Sequence, residues 1–308
     1  MLRLGLVGAG RWGRSFIRTL GAARDARLAG LASRNPQSAA LVPAGCRITA
    51  DWRELLDPAV VDGVIIATPP RLHAQMACAA IEAGLPVLVE KPLTLDAAEA
   101  RSIRDLAAAR GALVMVGHTH LFHPAYRALK AMQPGYGPVR EIRAEAGNHG
   151  PFRPDVPVLW DWGAHDVAMC LDLLGAMPGD VDAAVLERRE LEEGIAETVR
   201  IRLSFAQGTV AELRMSNQAP RRRRFEVACE RATLAYDDLA AAKLVVTERG
   251  ASRPVEIAPD LPLAVEVAEF AAAIAAGSRD ASQLDLGVRV VETLAACSAA
   301  ALGPSARR

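Results

Sequence analysis

Over the first third of the chain, apolar residues gather in short unbroken runs: Leu2–Val7, Leu28–Ala32, Gly63–Ala67, Val87–Val89 and Leu113–Val116. Stretches with helical spacing separate several of them, Leu72–Ala83 and Ala97–Ala109 among these. A run that is apolar at every position suits a strand buried on both faces, as in a parallel sheet covered by helices. The alternation therefore predicts an α/β domain with a doubly wound parallel sheet. Asp96, followed three residues later by Glu99, predicts a capped start for the helix over Ala97–Ala109.

Beyond GYGP at Gly135–Pro138 the pattern changes. ETVRIRLSF (Glu197–Phe205) and GTVAELRM (Gly208–Met215) alternate apolar with polar residues and are joined by the turn signal AQG. Consecutive strands without helices between them pair antiparallel, so a second domain of α+β type is expected. The domains are placed at residues 1–121 and 122–308. The Ala-rich stretch Leu284–Leu302 is interrupted by Asp285, Arg289 and Glu292, which predicts an amphipathic helix and not a membrane span.

Composition narrows the partners. With 308 residues, 51% of them hydrophobic, the chain can bury a sizeable core. A formal net charge of zero supplies no global field toward nucleic acid or an anionic membrane, which favours a small-molecule ligand. The five cysteines (Cys46, Cys78, Cys170, Cys229, Cys297) form no CxxC pair and no metal-ligand spacing, so they are expected as buried free thiols in a reducing compartment. No secretory pattern precedes the first strand, and a cytoplasmic location is expected.

The first apolar run leads into GAGRWG, which sets Gly8, Gly10 and Gly13 in G-x-G-x-x-G spacing before a helical start. The first glycine permits a tight turn, the second a close approach of backbone to a pyrophosphate, and the third close packing of helix on strand. The second run ends LASRN, where an NAD enzyme usually shows an acidic residue for the ribose hydroxyls. Ser33, Arg34 and Asn35 stand there instead. A hydroxyl and a guanidinium suit a 2′-phosphate that a carboxylate would repel, so NADP is expected as the preferred cofactor, with NAD the other candidate.

VLVEKPLTL at Val87–Leu95 carries one of only three lysines among 36 basic residues, the others being Lys130 and Lys243. An ammonium is a compact donor whose pKa falls on desolvation, whereas a guanidinium stays charged, planar and bulky. Lys91, at the end of a buried strand, is therefore a candidate to hold one hydroxyl and to stabilise developing alkoxide charge.

In order and spacing, GAGRWG, IIATPP with His73 close behind, AGLPVLVEKPL, GYGPVREI and DWGAHD resemble the Gfo/Idh/MocA family of glucose–fructose oxidoreductases, inositol dehydrogenases and relatives. The resemblance implies an N-terminal Rossmann domain and a C-terminal domain for substrate binding and oligomerisation, built on an open, mainly antiparallel sheet. It implies a catalytic set of Lys91, Asp161 and His165. To the cofactor set of Gly8, Gly10, Gly13, Ser33 and Arg34 it adds Arg11, Trp12, Thr68, Pro69, His73, Glu90 and Lys91. It also implies an NAD(P)-dependent oxidoreductase of a sugar, polyol or sugar derivative, assembled as a dimer or tetramer. The family includes redox-neutral glycosidases or lyases that use bound NAD, and sensors without turnover; an intact Lys91, Asp161 and His165 set argues against a sensor. Asp161 could also cap the helix expected over Ala164–Leu174.

Three of the six histidines crowd into GHTHLFHP. In a strand His118 and His120 would share a face, yet no carboxylate or cysteine lies at supporting spacing, so no metal is expected. Many family members carry an arginine near this point, where His120 and Leu121 stand here. We take His118 and His120 as substrate-binding, together with Asn148 and Arg153 of NHGPFRPD, whose polarity suits sugar hydroxyls. The run RRRR at Arg221–Arg224 lacks an aromatic platform for nucleic acid and is expected as a solvated turn or an oligomer contact.

Overall fold

The computed structural model describes residues 1–301 and divides the chain into two compact units. The first begins with β1 (Leu2–Val7), α1 (Arg11–Ala22), β2 (Ala26–Ala32), β3 (Arg47–Thr49), β4 (Gly63–Ile66), α2 (His73–Glu82), β5 (Val87–Glu90), α3 (Ala97–Arg110) and β6 (Val114–Gly117). Its six strands are all parallel, in the order β3-β2-β1-β4-β5-β6. This is the doubly wound arrangement that the apolar runs predict. β4, β5 and β6 are buried at every position, because helices cover both faces. The Asp96 side chain accepts hydrogen bonds from the N–H groups of Ala98 and Glu99, capping α3 as expected.

The second unit starts at His120 and holds α4 (Pro124–Met132), β7 (Val139–His149), α5 (Val158–Asp161), α6 (Gly163–Leu174), β8 (Asp180–Leu191), β9 (Gly194–Ser204), β10 (Val210–Ser216), β11 (Gln218–Cys229), β12 (Thr233–Asp237), β13 (Leu244–Glu248) and β14 (Ala251–Val255). Its eight strands run in the order β14-β13-β12-β11-β7-β10-β9-β8 and pair antiparallel throughout, except that β7 lies parallel to β10. One face buries Ile142, Ala144, Leu213, Met215, Phe225 and Val227. The other is a lattice of exposed ion pairs: Arg200–Asp182, Arg202–Glu212, Arg222–Glu145 and Arg224–Glu226. The arginine run is therefore part of strand β11 and not a turn, because its alternation places Arg222 and Arg224 on the charged face.

After β14 come α7 (Pro262–Ala275) and α8 (Ser282–Ala301). Here the domain boundaries expected from the sequence need correction. The division falls at Thr119–His120, two residues before the expected one, and Leu261–Val291 belongs to the first unit instead of the second. The reason is packing. The α7 stripe of Leu263, Val267, Phe270 and Ala271 is buried. Beyond it, Ile274 closes over Gly63, and Gly287 lets α8 lie against Val116. No described helix is long and apolar enough to cross a membrane. Cys170 and Cys297 are buried as expected, while Cys46, Cys78 and Cys229 are half-buried and all five are free.

Candidate functional site: a dinucleotide cradle and a histidine-rich helix start

The glycine loop lies where β1 meets α1. Gly8 has φ +102, and a Cβ there would stand 2.5 Å from the carbonyl oxygen of Ala67, so the end of β1 approaches the end of β4 only as glycine. A Cβ at Gly13 would stand 2.1 Å from the Gly8 carbonyl oxygen, which locks α1 close beneath the loop. Gly10 differs: its Cβ would meet nothing within 4 Å. It is the N-cap of α1, no side chain caps the helix, and no acidic residue occupies its first turn, which begins with the exposed Arg11 and Trp12. A helix start with free N–H groups and no carboxylate fits a pyrophosphate.

At the end of β2 the Ser33 N–H donates to Thr49 and its hydroxyl pairs with that of Ser38 at 2.8 Å, while the Asn35 N–H donates to the same hydroxyl. Ser33 thus shapes a loop on which Arg34 is exposed. After β4, Thr68 is half-buried and Pro69 exposed. The His73 ring, wholly buried, lies 2.9 Å from the carbonyl oxygen of Thr68 through Nε2 and 2.9 Å from that of Pro92 through Nδ1. It therefore bridges the loops after β4 and β5 from below. Burial lowers its pKa against the pull of these carbonyls, so the neutral ring donates to one of them at a time.

β5 ends at Glu90, and Lys91 follows half-buried at the C-terminal edge of the sheet, where ligands of doubly wound folds bind. One Glu90 carboxylate oxygen accepts the Trp12 indole N–H, and the other accepts the Lys91 backbone N–H at 3.2 Å. His118 follows β6. It is wholly buried with no hydrogen-bond partner on either ring nitrogen, and burial, with the Lys91 charge beside it, pushes its pKa down to about 3. It is a neutral imidazole within reach of the Lys91 charge.

In the second unit Asp161 ends α5 and His165 lies in the first turn of α6, whose N-cap is Trp162 without a side-chain bond. Asp161 is thus not the cap of this helix, because the chain enters α6 directly from α5. Arg153 is paired with Asp155 through two contacts of 3.1 and 3.0 Å and stands 3.8 Å from Asp161. Asn148 sits half-buried near the end of β7.

Thr119–Phe122 forms a short helical turn, so His118 and His120 do not share a strand face. The three histidines have separate surroundings. The His120 ring meets the His165 ring edge-to-face at 4.5 Å, with the Tyr236 hydroxyl 3.4 Å from its Nδ1. His123 caps α4, its Nδ1 accepting the Ala125 N–H, and its Nε2–H donates to Asp238 at 3.2 Å. That bond holds the Asp238 carboxyl down at about 2. Among the described residues no group of three His, Cys, Asp or Glu side chains is arranged to hold a metal.

Sequence reasoning missed three residues here. Arg223 turns inward from the arginine run and lies over the Trp162 ring at 4.9 Å. Asp166, beside His165 in sequence, is buried; burial pushes its pKa up to about 6 against the pull of Arg223. Glu266 of α7 is buried within the first unit. It had a signal, since a carboxylate occupies the stripe Leu263, Glu266, Val267, Phe270.

Residues 2–118 match the oxidoreductase family with an NAD-binding Rossmann fold, and residues 133–235 match the Gfo/Idh/MocA C-terminal domain. The chain belongs to the Gfo/Idh/MocA family. The protein is thus a nicotinamide-dinucleotide oxidoreductase with a Rossmann first unit. A candidate oxidoreductase from Magnetospirillum magnetotacticum MS-1 is 46% identical, with a TM-score of 0.91 over 96% of this chain and 99% of that one. The UDP-N-acetylglucosamine 3-dehydrogenase of Acidithiobacillus ferrooxidans is 31% identical in its crystal structure, with a TM-score of 0.85 over 97% of each chain. The inositol 2-dehydrogenase of Rhizobium meliloti is 31% identical over 233 residues, 71% of this chain and 69% of that one.

Proposed function

We infer that this Gfo/Idh/MocA protein moves a hydride between a nicotinamide and a carbinol or carbonyl carbon of a sugar, polyol or sugar derivative. The relatives that act on UDP-N-acetylglucosamine and on inositol support that substrate class. The observation that carries the reading is Lys91: a rare lysine at the sheet edge, its backbone fixed by Glu90, beside the glycine loop that fits a pyrophosphate.

Bound nicotinamide would supply the hydride acceptor or donor. Gly10, Arg11, Trp12 and Gly13 would hold the pyrophosphate, Thr68 and Pro69 would lie along the dinucleotide, and Ser33 with Arg34 would hold a 2′-phosphate, which would favour NADP over NAD. In the oxidative direction His165 removes the hydroxyl proton, Lys91 steadies the oxygen as charge develops, and Asp161 stabilises the imidazolium. His120 keeps the His165 ring in plane by edge-to-face contact. Asn148 and Arg153 meet substrate hydroxyls. His118, wholly buried, serves the same substrate from beneath the surface, near enough to feel the Lys91 charge. The charged face of the eight-stranded sheet is the expected dimer or tetramer contact, and the protein works in the cytoplasm.

The test is a screen of sugars, polyols and nucleotide sugars for an absorbance change at the nicotinamide band with each cofactor. A net change is the expected result. Product formed without net change would replace the reading with redox-neutral cleavage, and dinucleotide binding without any product would replace it with a sensor.

A further inference from the structure

The single turn of α5 that ends in Asp161 begins without a local cap. Its N-cap is Pro157, whose side chain makes no capping bond, so the first N–H of the helix, that of Val158, needs an acceptor from elsewhere. Glu197 of β9 supplies it: Oε2 accepts the Val158 N–H at 3.1 Å, from 39 residues along the chain. The Glu197 side chain is only 3% exposed, and a carboxylate so withdrawn from water needs donors for both oxygens. Oε1 receives Nη1 of Arg188, the residue opposite on β8, at 2.6 Å.

The backbone around Glu197 is equally fixed. Its N–H donates to Asn217 Oδ1 at 2.7 Å, and the buried Asn217 donates from Nδ2 to the Ile195 carbonyl oxygen, also at 2.7 Å. The carbonyl oxygen of Asn217 accepts the Gly150 N–H at 2.7 Å. The loop over 150–157 is thus tied at its first residue through Asn217 and at its far end through Glu197. Between these ties the Phe152 carbonyl oxygen lies 2.1 Å from where Gly194 of β9 would carry a Cβ. Past Val158, the Asp161 N–H closes the turn on the Pro157 carbonyl oxygen at 3.0 Å.

We propose that Glu197 is a positioning residue for Asp161: its carboxylate stands in for the missing cap, fixes the single turn of α5, and so sets where the Asp161 carboxylate is presented. Arg188 keeps the Glu197 carboxylate aimed at the Val158 N–H. The proposal deepens the reading of Asp161 given above and rests on it for the kinetic consequence, but its structural observables need no substrate.

Two substitutions in the full-length protein separate reach from charge. Glu197→Gln keeps the length of the side chain and an oxygen for the Val158 N–H, while Arg188, open to solvent, can turn away. Glu197→Asp keeps the charge and withdraws it by one methylene. Followed by NMR, the Val158 amide should exchange with solvent deuterons at the wild-type rate in Glu197→Gln and about tenfold faster in Glu197→Asp, the scale of one lost hydrogen bond to a charged group. The carbon resonance of the Asp161 carboxylate should move in Glu197→Asp alone. With a substrate, Glu197→Asp should lower kcat about tenfold or more while NADP affinity, a property of the first unit, stays unchanged, and it should add little to the loss caused by Asp161→Asn. The reverse order, with Glu197→Gln impaired and Glu197→Asp normal, would make the Arg188 ion pair the operative contact and overturn the proposal. So would an unmoved Asp161 resonance in Glu197→Asp, or losses that multiply with Asp161→Asn. Should Glu197→Asp fail to fold, Glu197→Gln decides: faster Val158 exchange or a displaced Asp161 resonance there overturns the proposal, and wild-type values of both uphold it. A failed activity screen beside the expected exchange and resonance results would refute the hydride-transfer reading alone.

Discussion

Gly10 and Gly13 stand three residues apart in one loop, yet alanine should act on them in opposite ways. At Gly10 the backbone has φ −67 and ψ −169, which any residue adopts, and an added methyl meets nothing within 4 Å. Gly10→Ala should therefore fold normally, with stability changed by no more than about 1 kcal/mol, the scale of N-cap exchanges. The same methyl would stand where backbone must approach a pyrophosphate. Forcing the ligand outward at an overpacked contact costs about 1–3 kcal/mol, or roughly 5- to 150-fold in affinity. At Gly13 the methyl would lie 2.1 Å from the Gly8 carbonyl oxygen and 2.9 Å from its carbon. Backbone has to move there, so Gly13→Ala loses about 1–3 kcal/mol of stability, roughly 2–12 °C in Tm for a unit of this size, as well as affinity. Thermal unfolding without dinucleotide and calorimetric titration with NADP separate the two effects. A Gly10→Ala protein that binds NADP normally, or a Gly13→Ala protein with unchanged Tm, would refute the assignment of the two glycines.

Arg34→Ala should weaken NADP by about 1–3 kcal/mol while leaving NAD nearly unchanged, as measured by titration with each; equal losses would remove the 2′-phosphate contact. With a substrate in hand, Lys91→Arg and Lys91→Ala should each lose roughly a hundredfold in turnover with little change in dinucleotide affinity, and a double variant with His165→Ala should fall short of the product of the single losses. Asp166, raised from 3.8 to about 6, is disfavoured as an anion in the fold, so its contribution to stability is full below about pH 4 and is lost as pH rises through about 6. Asp166→Asn should remove that slope and stabilise the protein by about 3 kcal/mol near pH 7, read from denaturant unfolding across the pH range. Light scattering at micromolar concentration should report a dimer or tetramer, and a monomer would contradict the sheet-face contact.

The sequence discloses best what local chemistry decides. The glycine loop, the EKP strand end and the capped start of α3 each depend on residues within a few positions of one another, and each appears as expected. Long-range destination is another matter. The apolar stripe of α7 announces that the helix packs on something, but Leu263 and Phe270 would look the same against either unit. The inward turn of Arg223 depends on strand register, since Arg222 and Arg224 on either side face solvent as the run suggests. His120 reads as a substrate ligand from its polarity. Its contact with His165 needs the short helical turn after β6, which the strand-like spacing of GHTH conceals.

The assignment of Leu261–Val291 to the first unit has a consequence for biosynthesis. A ribosome releases β1 to β6 long before α7, so the parallel sheet emerges lacking the helix that covers Gly63 and supplies Glu266. Until Leu261–Val291 has been made, the nascent Rossmann sheet has an uncovered apolar surface. A fragment ending near residue 121 should accordingly be poorly soluble and weak in NADP binding, and supplying Leu261–Val291 through a short linker should restore both.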